Sequence, residues 1–235
     1  MNFLIRRNST DYFYDDNFVY AKQGSVVHKM SIFDKNYYKL RYVKSKNAII
    51  LEIDGLRMNL LKDFEKPTEY ANEIVKNLKL NNNSVVLDTC MGLGYTCIAA
   101  AGNAKYVITC EISNAVHELA KWNPFSALLE QKNIEILNAD IFEKIREFEN
   151  NSFDAIIHDP PRFSKAGEVY SLEFYKQLYR VAKKHARIFH YVGSVGKNIK
   201  GRKIEKEVAK RLREAGFKNI HYIEKLQGLI FTKFS

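Results

Sequence analysis

The stretch S84-VVLDTCMGLGYTCIAA-A101 decides the fold of this chain. Its β-branched run 85–87 is typical of a buried parallel strand, and residues 95–101 have the composition of a helix. Between them lie Asp88 and the turn Gly92-Leu93-Gly94. Glycines let a backbone pass close to a ligand, and the unpaired N–H groups at the start of the next helix favour a negatively charged group. The stretch therefore predicts a nucleotide-binding unit.

Acidic residues follow the next predicted strands as well. The strand 106–110 ends in Glu111, which lies 23 residues after Asp88. Dinucleotide-type folds place a ribose-binding acid roughly 20 residues after the first strand. The strand 134–137 precedes Asn138-Ala139-Asp140, and the strand 153–158 precedes Asp159-Pro160-Pro161. Because open α/β sheets bind ligands at the carboxyl ends of their strands, we expect these side chains to meet at one edge.

Taken in order, these segments resemble the successive motifs of the class I S-adenosylmethionine-dependent methyltransferases. The resemblance covers most of the chain from residue 84 onward. It implies an α/β fold with a Rossmann-like seven-stranded sheet, S-adenosyl-L-methionine as cofactor, and methyl transfer to a nitrogen or oxygen acceptor. It also implies a set of cofactor-binding residues: Asp88, Gly92, Gly94, Tyr95, Glu111, Asn138, Asp140, Asp159 and Pro160.

Asp159 is the candidate catalytic residue, because a carboxylate at this corner can accept a hydrogen bond or a proton from the acceptor. The adjacent prolines fix the backbone of the turn. The alternative for Asp159 is a cap of its loop. Asp140 has two compatible interpretations, a contact to the adenine amino group and the N-cap of a helix starting at 141. Tyr95 forms either a wall of the cofactor pocket or a core aromatic. His158 and His190 are interpreted as core residues.

Residues 1–65 are predicted to form a small N-terminal β domain ahead of the methyltransferase domain, residues 66–235. Strands are expected at 37–43, 48–53 and 56–61, with Asp54-Gly55 as a two-residue hairpin turn. The segment Leu51-Glu52-Ile53-Asp54-Gly55-Leu56-Arg57-Met58 resembles the N-terminal β module of the spermidine synthases. It departs from that pattern at Met58, where a glutamine is expected, and at Pro67 and Thr68.

The chain has 37 basic and 27 acidic residues among its 235, a net charge of +10. Such a surplus fits a polyanionic partner, with RNA as the obvious candidate. Basic residues concentrate between 197 and 213, where interleaved glutamates also suit a solvated helix. The abundance of Lys, Asn, Ile, Tyr and Phe equally suits an AT-rich coding sequence, so charge alone leaves the partner open.

The three cysteines, Cys90, Cys97 and Cys110, show no CxxC spacing, so we expect neither disulfides nor a metal site. No cysteine follows Cys110, which disfavours C5 methylation of a pyrimidine through a covalent thiolate adduct. No apolar run approaches the ~18 residues of a membrane span, and we expect a soluble cytoplasmic protein. The oligomeric state stays open, a dimer included.

Two other functions compete with methyl transfer. An aminopropyltransferase or other small-amine enzyme would use the β module and the segment 162–170, which resembles the polyamine-binding loop of the spermidine synthases. Asp63, Asp159 and Glu168 would then face a cationic small molecule. A non-catalytic binding module is disfavoured, because a scaffold has no need of four acids at strand ends.

Overall fold

The computed structural model describes residues 1–59, 62–161, 167–193, 198–199 and 202–234. The chain divides into two compact units, each described by itself below. The first unit comprises Met1–Tyr70, Gly92–Tyr95 and Ser113–Glu130, and the second comprises Ala71–Met91, Thr96–Ile112 and Gln131–Ser235. The domain boundary between residues 65 and 66 stays a prediction.

The first unit contains two antiparallel sheets of four strands. One sheet has the order β1 (Asn2–Arg7), β2 (Thr10–Tyr14), β3 (Val19–Gln23), β4 (Val26–Lys29). The other has the order β5 (Ser31–Phe33), β6 (Tyr37–Val43), β7 (Ala48–Ile53), β8 (Leu56–Arg57). Asp54 and Gly55 both have positive φ, +50° and +75°, which is the backbone that the predicted two-residue hairpin requires.

The hairpin of β1 and β2 was not anticipated from the sequence. Its turn residues, Asn8 and Ser9, have φ values of +45° and +63°. They adopt the left-handed conformation without a glycine, so the sequence carries no strong turn signal there. The predicted strand 56–61 is also shorter than expected, because β8 ends at Arg57.

The second unit is built on a seven-stranded sheet. Its strands in chain order are β9 (Val85–Asp88), β10 (Tyr106–Glu111), β11 (Ile134–Asn138), β12 (Phe153–His158), β13 (Ala182–Tyr191), β16 (Lys218–Ile223) and β17 (Gly228–Thr232). Between β13 and β16, β14 (Asn198–Ile199) and β15 (Arg202–Lys203) pair separately. The order across the sheet is β11-β10-β9-β12-β13-β17-β16, with β17 antiparallel to both of its neighbours. The predicted α/β fold with this sheet is confirmed.

The described part of the chain contains six helices: α1 (Pro67–Leu78), α2 (Tyr95–Ala101), α3 (Asn114–Trp122), α4 (Ile141–Lys144), α5 (Leu172–Val181) and α6 (Ile204–Glu214). Ser113 and Ser171 cap α3 and α5 through their side chains. Residues Ala127–Glu130 form a 3₁₀ turn after α3. None of the described helices has the length and apolar character that a membrane span requires.

The central strands of the sheet are buried on both faces. Val86 and Leu87 of β9 and Ile156 and Ile157 of β12 are all fully buried. Successive residues of a strand point to opposite faces, so this pattern requires packing on each side of the sheet. The chain order reverses at β9, since β10 lies on one side of it and β12 on the other. Open α/β sheets bind their ligands at such a switch point.

Candidate active site

The carboxyl ends of β9, β10 and β12 bring three acids to one edge of the sheet. Asp88 lies beside Thr109 of β10 and Ile157 of β12 in the parallel register. Glu111 ends β10 two residues beyond Thr109, and Asp159 follows β12 two residues beyond Ile157. The negative charges of Asp159 and Glu111 both raise the pKa of the Asp88 carboxyl, so the three groups are electrostatically coupled. The predicted clustering of these acids is therefore found in the second unit.

Asp88 is the most buried of the three acids, with no exposed surface. Its Oδ2 accepts hydrogen bonds from the hydroxyls of Thr109 at 2.9 Å and Thr96 at 3.2 Å. Its Oδ1 is buried and has no hydrogen-bond partner in the described part of the chain. Burial and the charges of Asp159 and Glu111 raise its pKa to about 8, against the lowering effect of the two hydroxyls. Asp88 is thus a carboxyl poised between its two forms near neutral pH.

The two histidines behind Asp159 are neutral core residues. His158 donates from Nε2 to the carbonyl of Val169 at 3.0 Å, so its Nδ1 accepts from Thr89 at 2.7 Å. His190 donates from Nδ1 to the carbonyl of His158 and accepts from Tyr175 at 2.9 Å. Burial lowers the pKa of His158 to about 3 and that of His190 well below its usual range. With both ring nitrogens engaged, these side chains hold the end of β12 in place.

The Asp159-Pro160-Pro161 turn is also held from its far side. The Tyr170 hydroxyl donates to the carbonyl of Pro161 at 3.1 Å, and Arg211 of α6 donates to the carbonyl of Tyr170 at 3.0 Å. Pro160 is buried, whereas Asp159 keeps partial exposure. The turn therefore presents the carboxylate from a supported backbone. Residues 162–166, which begin the predicted polyamine-binding loop, lie outside the described residues.

Asn138 and Asp140 follow β11, next to Glu111. Asn138 pairs in register with Glu111, and the carbonyl of Glu111 accepts a hydrogen bond from the Ala139 N–H at 3.1 Å. Asp140 caps α4, because its Oδ1 accepts from the Phe142 N–H at 2.9 Å. The cap interpretation of Asp140 is therefore realised. Its contact to adenine stays a prediction, and both roles are compatible, since the side chain is exposed.

Gly92, Gly94 and Tyr95 belong to the first unit. Both glycines have positive φ, +54° and +82°, and a Cβ on Gly94 would lie 2.5 Å from Leu129 Cδ2. Tyr95 is buried, donates its hydroxyl hydrogen to the carbonyl of Ile49 at 2.9 Å and accepts from Asn123 at 3.1 Å. Burial raises the pKa of this hydroxyl. The hydroxyl of Tyr95 thus serves the core of its own unit, and its part in cofactor binding stays a prediction.

Sequence reasoning missed Thr89, Thr96, Thr109 and Tyr170. Thr109 precedes Glu111 by two residues on β10, so both side chains share one face, and this spacing was the available signal. The other three are recognised only from distances, because their partners lie 8 to 69 residues away in the chain.

The described acids fit the predicted cofactor chemically. S-adenosylmethionine presents ribose hydroxyls, an ammonium group and a sulfonium, all of which interact favourably with carboxylates. The unpartnered buried Oδ1 of Asp88 lacks the hydrogen bond or cation that such a ligand supplies. Glu111 and Asp159 follow the strands on either side of β9, and their binding to the cofactor stays a prediction.

Comparison with known proteins decides the family. A family model described as S-adenosyl-L-methionine-dependent methyltransferase matches residues 111–221, which includes Glu111, Asp140 and Asp159. The uncharacterized protein MJ1233 of Methanocaldococcus jannaschii is 42% identical over 219 residues, 93% of this chain and 75% of that protein. The chain belongs to the class I S-adenosylmethionine-dependent methyltransferases. The predicted family, enzyme class and cofactor are thereby confirmed.

Two relatives of this methyltransferase carry names that state a substrate. The ribosomal RNA large subunit methyltransferase I of Aliivibrio fischeri is 30% identical over 131 residues, 53% of this chain and 31% of that protein. MJ0928 of Methanocaldococcus jannaschii, named for protein N5-glutamine methylation, is 32% identical over 114 residues, 48% of this chain and 54% of that protein. The methyltransferase therefore spans about half or less of these two relatives.

A solved structure extends the likeness to the fold of the remaining chain. The spermidine synthase from Thermotoga maritima superposes with a TM-score of 0.69 at 18% identity, covering 99% of this chain and 82% of that one. At this identity the likeness concerns the fold alone.

Proposed function

We propose that this methyltransferase acts on RNA, at a nitrogen or oxygen atom of a base or ribose. The observation that supports RNA most directly is the similarity to a ribosomal RNA methyltransferase over half of the chain. The net charge of +10 is in keeping with a polyanionic acceptor. The cytoplasmic location expected from the sequence stays a prediction.

The thiols favour a nitrogen or oxygen acceptor over a pyrimidine carbon. Covalent C5 methylation needs a thiolate as nucleophile. The thiol of Cys90 is affected by the charges of all three acids, and burial together with the charge of Glu111 raises its pKa well above the usual range. Burial likewise raises the pKa of Cys97 and Cys110. All three thiols thus stay protonated and weakly nucleophilic.

Asp159 would orient the acceptor and take its proton. S-adenosylmethionine supplies an activated methyl group, so the protein mainly has to align the acceptor and accept a proton from it. Asp159 is partly exposed on a turn that the prolines stiffen and the Tyr170 hydroxyl supports. The two ring nitrogens of His158, the residue before it, are both hydrogen-bonded. A carboxylate held in this way can accept a hydrogen bond from an amine or a hydroxyl.

The test is to incubate the enzyme with labelled methyl donor and separate fractions of cellular RNA, protein and small molecules. We expect label in RNA, on nitrogen or oxygen after digestion to nucleosides. Asp159→Asn should reduce incorporation by about 100-fold or more, which is the usual size of a general-base contribution. Asp34→Asn is the matched control, because Asp34 is an exposed carboxylate of the first unit. Label confined to protein would contradict the RNA proposal and favour the glutamine side chain suggested by MJ0928.

Aminopropyl transfer remains the alternative, and its support is limited to the fold. A ligand that binds the folded protein raises its melting temperature, and at equal concentration the ligand with the higher affinity raises it more. We expect S-adenosylhomocysteine to raise the melting temperature more than decarboxylated S-adenosylmethionine does. The opposite order would favour the aminopropyltransferase.

A further inference from the structure

The first unit contains a cleft that none of the candidate active-site residues lines. Its volume is about 640 Å³, within the range of small-molecule sites. The lining comes from three segments, the end of β2, the end of β6 with the turn after it, and β8. The lining residues are Tyr14, Asp15, Asp16, Arg41, Tyr42, Val43, Lys44, Ser45 and Arg57.

One nearly buried carboxylate organises the basic wall of this cleft. Glu52 of β7 lies opposite Lys39 of β6 and opposite Arg57 of β8. Its side chain is 4% exposed and pairs with Lys39 at 3.2 Å, Arg41 at 3.0 Å and Arg57 at 3.8 Å. Three cations thus share a single anion, which leaves two positive charges uncompensated within this group. Like charges so close together repel each other, and an anionic ligand would relieve that repulsion.

Two of these cations face the cleft, where Lys44 adds a third. Arg41 and Arg57 both line it, and the Arg57 side chain is 52% exposed. Guanidinium groups match the geometry of phosphate oxygens, and their charge survives at any physiological pH. The basic wall is therefore suited to a phosphate.

The lining of the cleft also includes aromatic rings and carboxylates. Tyr14 and Tyr42 contact each other with ring centroids 4.3 Å apart, and the Tyr42 hydroxyl donates to Asn47 at 2.7 Å. Asp15 uses its oxygens to hold its own loop, accepting from the N–H groups of Asn17 and Phe18 and from the Tyr20 hydroxyl. Asp16 is exposed at the cleft. Rings offer a stacking surface, and a carboxylate accepts from amino or imino groups of a base.

We infer that this cleft binds one unpaired nucleotide of a single-stranded RNA segment. The phosphate would contact Arg41, Lys44 and Arg57, while the base would stack on the tyrosines. An acidic peptide would engage the cations but leave the rings unused. This inference deepens the proposed function, because it adds a second RNA contact to the methyl acceptor.

The experiment combines affinity with site mapping in the full chain. A labelled single-stranded oligoribonucleotide is titrated with enzyme, and fluorescence anisotropy is recorded over a range of salt. Lys44→Ala and Arg57→Ala should each weaken binding roughly fivefold or more and reduce the salt slope by about 0.7, as expected for one lost phosphate contact on a single strand. Lys35→Ala is the matched control, since Lys35 is exposed in the same unit but does not line the cleft. Circular dichroism verifies that each variant is folded.

Ultraviolet crosslinking followed by peptide mass spectrometry locates the bound RNA. We expect crosslinks at Tyr14 or Tyr42, competed by unlabelled RNA but not by a nucleoside monophosphate at the same concentration. Competition by the monophosphate at that concentration would indicate a free nucleotide and overturn the RNA inference. Wild-type affinity in both cleft variants, with label still entering RNA, would overturn the inference and leave the proposed function intact. Crosslinks in the cleft without methyl label in RNA would support the nucleotide-binding cleft and overturn RNA as the methyl acceptor.

Discussion

Asp88 shows how burial and neighbouring charge set the protonation of one side chain. The folded state holds its proton up to about pH 8, whereas an unfolded aspartate releases it near its ordinary pKa. Between these values the folded state binds more protons, so its stability falls as pH rises. The two buried histidines act in the opposite sense, but only below their unfolded pKa of about 6.5. The histidine contribution fades as pH rises above 6.5, so Asp88 dominates the pH dependence of stability between about pH 7 and 8.

Asp88→Asn should remove this pH dependence. We expect the free energy of unfolding of the wild-type enzyme, without ligand, to fall by about 0.5–1 kcal/mol from pH 7 to 8. The substituted enzyme should show a flatter profile, as measured by urea denaturation at each pH. Asp140→Asn is the control, because its side chain is exposed and asparagine caps a helix as well as aspartate does. Identical slopes in the wild type and the Asp88→Asn variant would contradict the assigned protonation.

Alanine substitutions at Gly92 and Gly94 distinguish the cost of backbone strain from the cost of a steric clash. Both have positive φ, yet a Cβ on Gly92 meets nothing within 4 Å, whereas a Cβ on Gly94 meets three atoms of Leu129 at 2.5 to 2.9 Å. Gly92→Ala should cost about 1–2 kcal/mol of stability from the left-handed backbone alone. Gly94→Ala should cost about 1–3 kcal/mol more, since Leu129 has to move. Equal losses in thermal or urea unfolding would show that Leu129 adapts freely.

The turn after β12 depends on elements far from it in the sequence. Tyr170 reaches Pro161 across the 3₁₀ turn Gly167–Tyr170, and α6 holds Tyr170 through Arg211. His158 fixes Val169 and Thr89 with its two nitrogens. The position of Asp159 is thus set by β12, by the segment before α5 and by α6 together.

Tyr170→Phe should test this support of the turn. The variant loses one hydrogen bond to the carbonyl of Pro161, which is worth about 1 kcal/mol of stability. We expect kcat to fall, because Asp159 is less well positioned, while the affinity for S-adenosylhomocysteine measured by calorimetry stays within about twofold. Tyr179→Phe on α5 is a matched control for removal of a tyrosine hydroxyl. Loss of cofactor affinity at unchanged kcat would show that the turn serves the cofactor and not the acceptor.

The net charge of the entire chain predicts that the affinity for RNA falls steeply with salt concentration. Release of counterions from single-stranded RNA gives a slope of log affinity against log salt of about −0.7 per neutralised phosphate. Neutralising roughly four phosphates would weaken binding on the order of 100-fold between 50 and 300 mM salt. Anisotropy titrations at several salt concentrations measure this slope. A flat response would mean that the surplus of basic residues does not contact RNA.

The sequence anticipated the sheet, its flanking helices and the acids at the strand ends. Strands 85–88, 106–111 and 153–158 are short, mainly apolar segments that contain Val or Ile and lead into turns with acidic residues, and this pattern is local. The composition of residues 187–192 predicts the fifth strand of the sheet there, but β13 begins at Ala182 directly after α5. Its first residues, Ala182-Lys183-Lys184-His185, have no strand-like alternation. Ala182 pairs with Phe153 of β12, and the register then shifts so that Ala155 pairs with Arg187.

By itself, the sequence determined which segments form the strands and which acids follow them, because each strand-turn-helix pattern is encoded locally. It also predicted that these acids meet at one edge, because parallel strands of one sheet end there. Only the tertiary structure decided the protonation of Asp88, the neutral state of the two histidines and the cleft beside Glu52. These properties depend on burial and on charges brought together by folding. Asp88 and Asp159 are far apart along the chain, yet folding brings them close enough for the charge of Asp159 to raise the pKa of the buried Asp88 carboxyl.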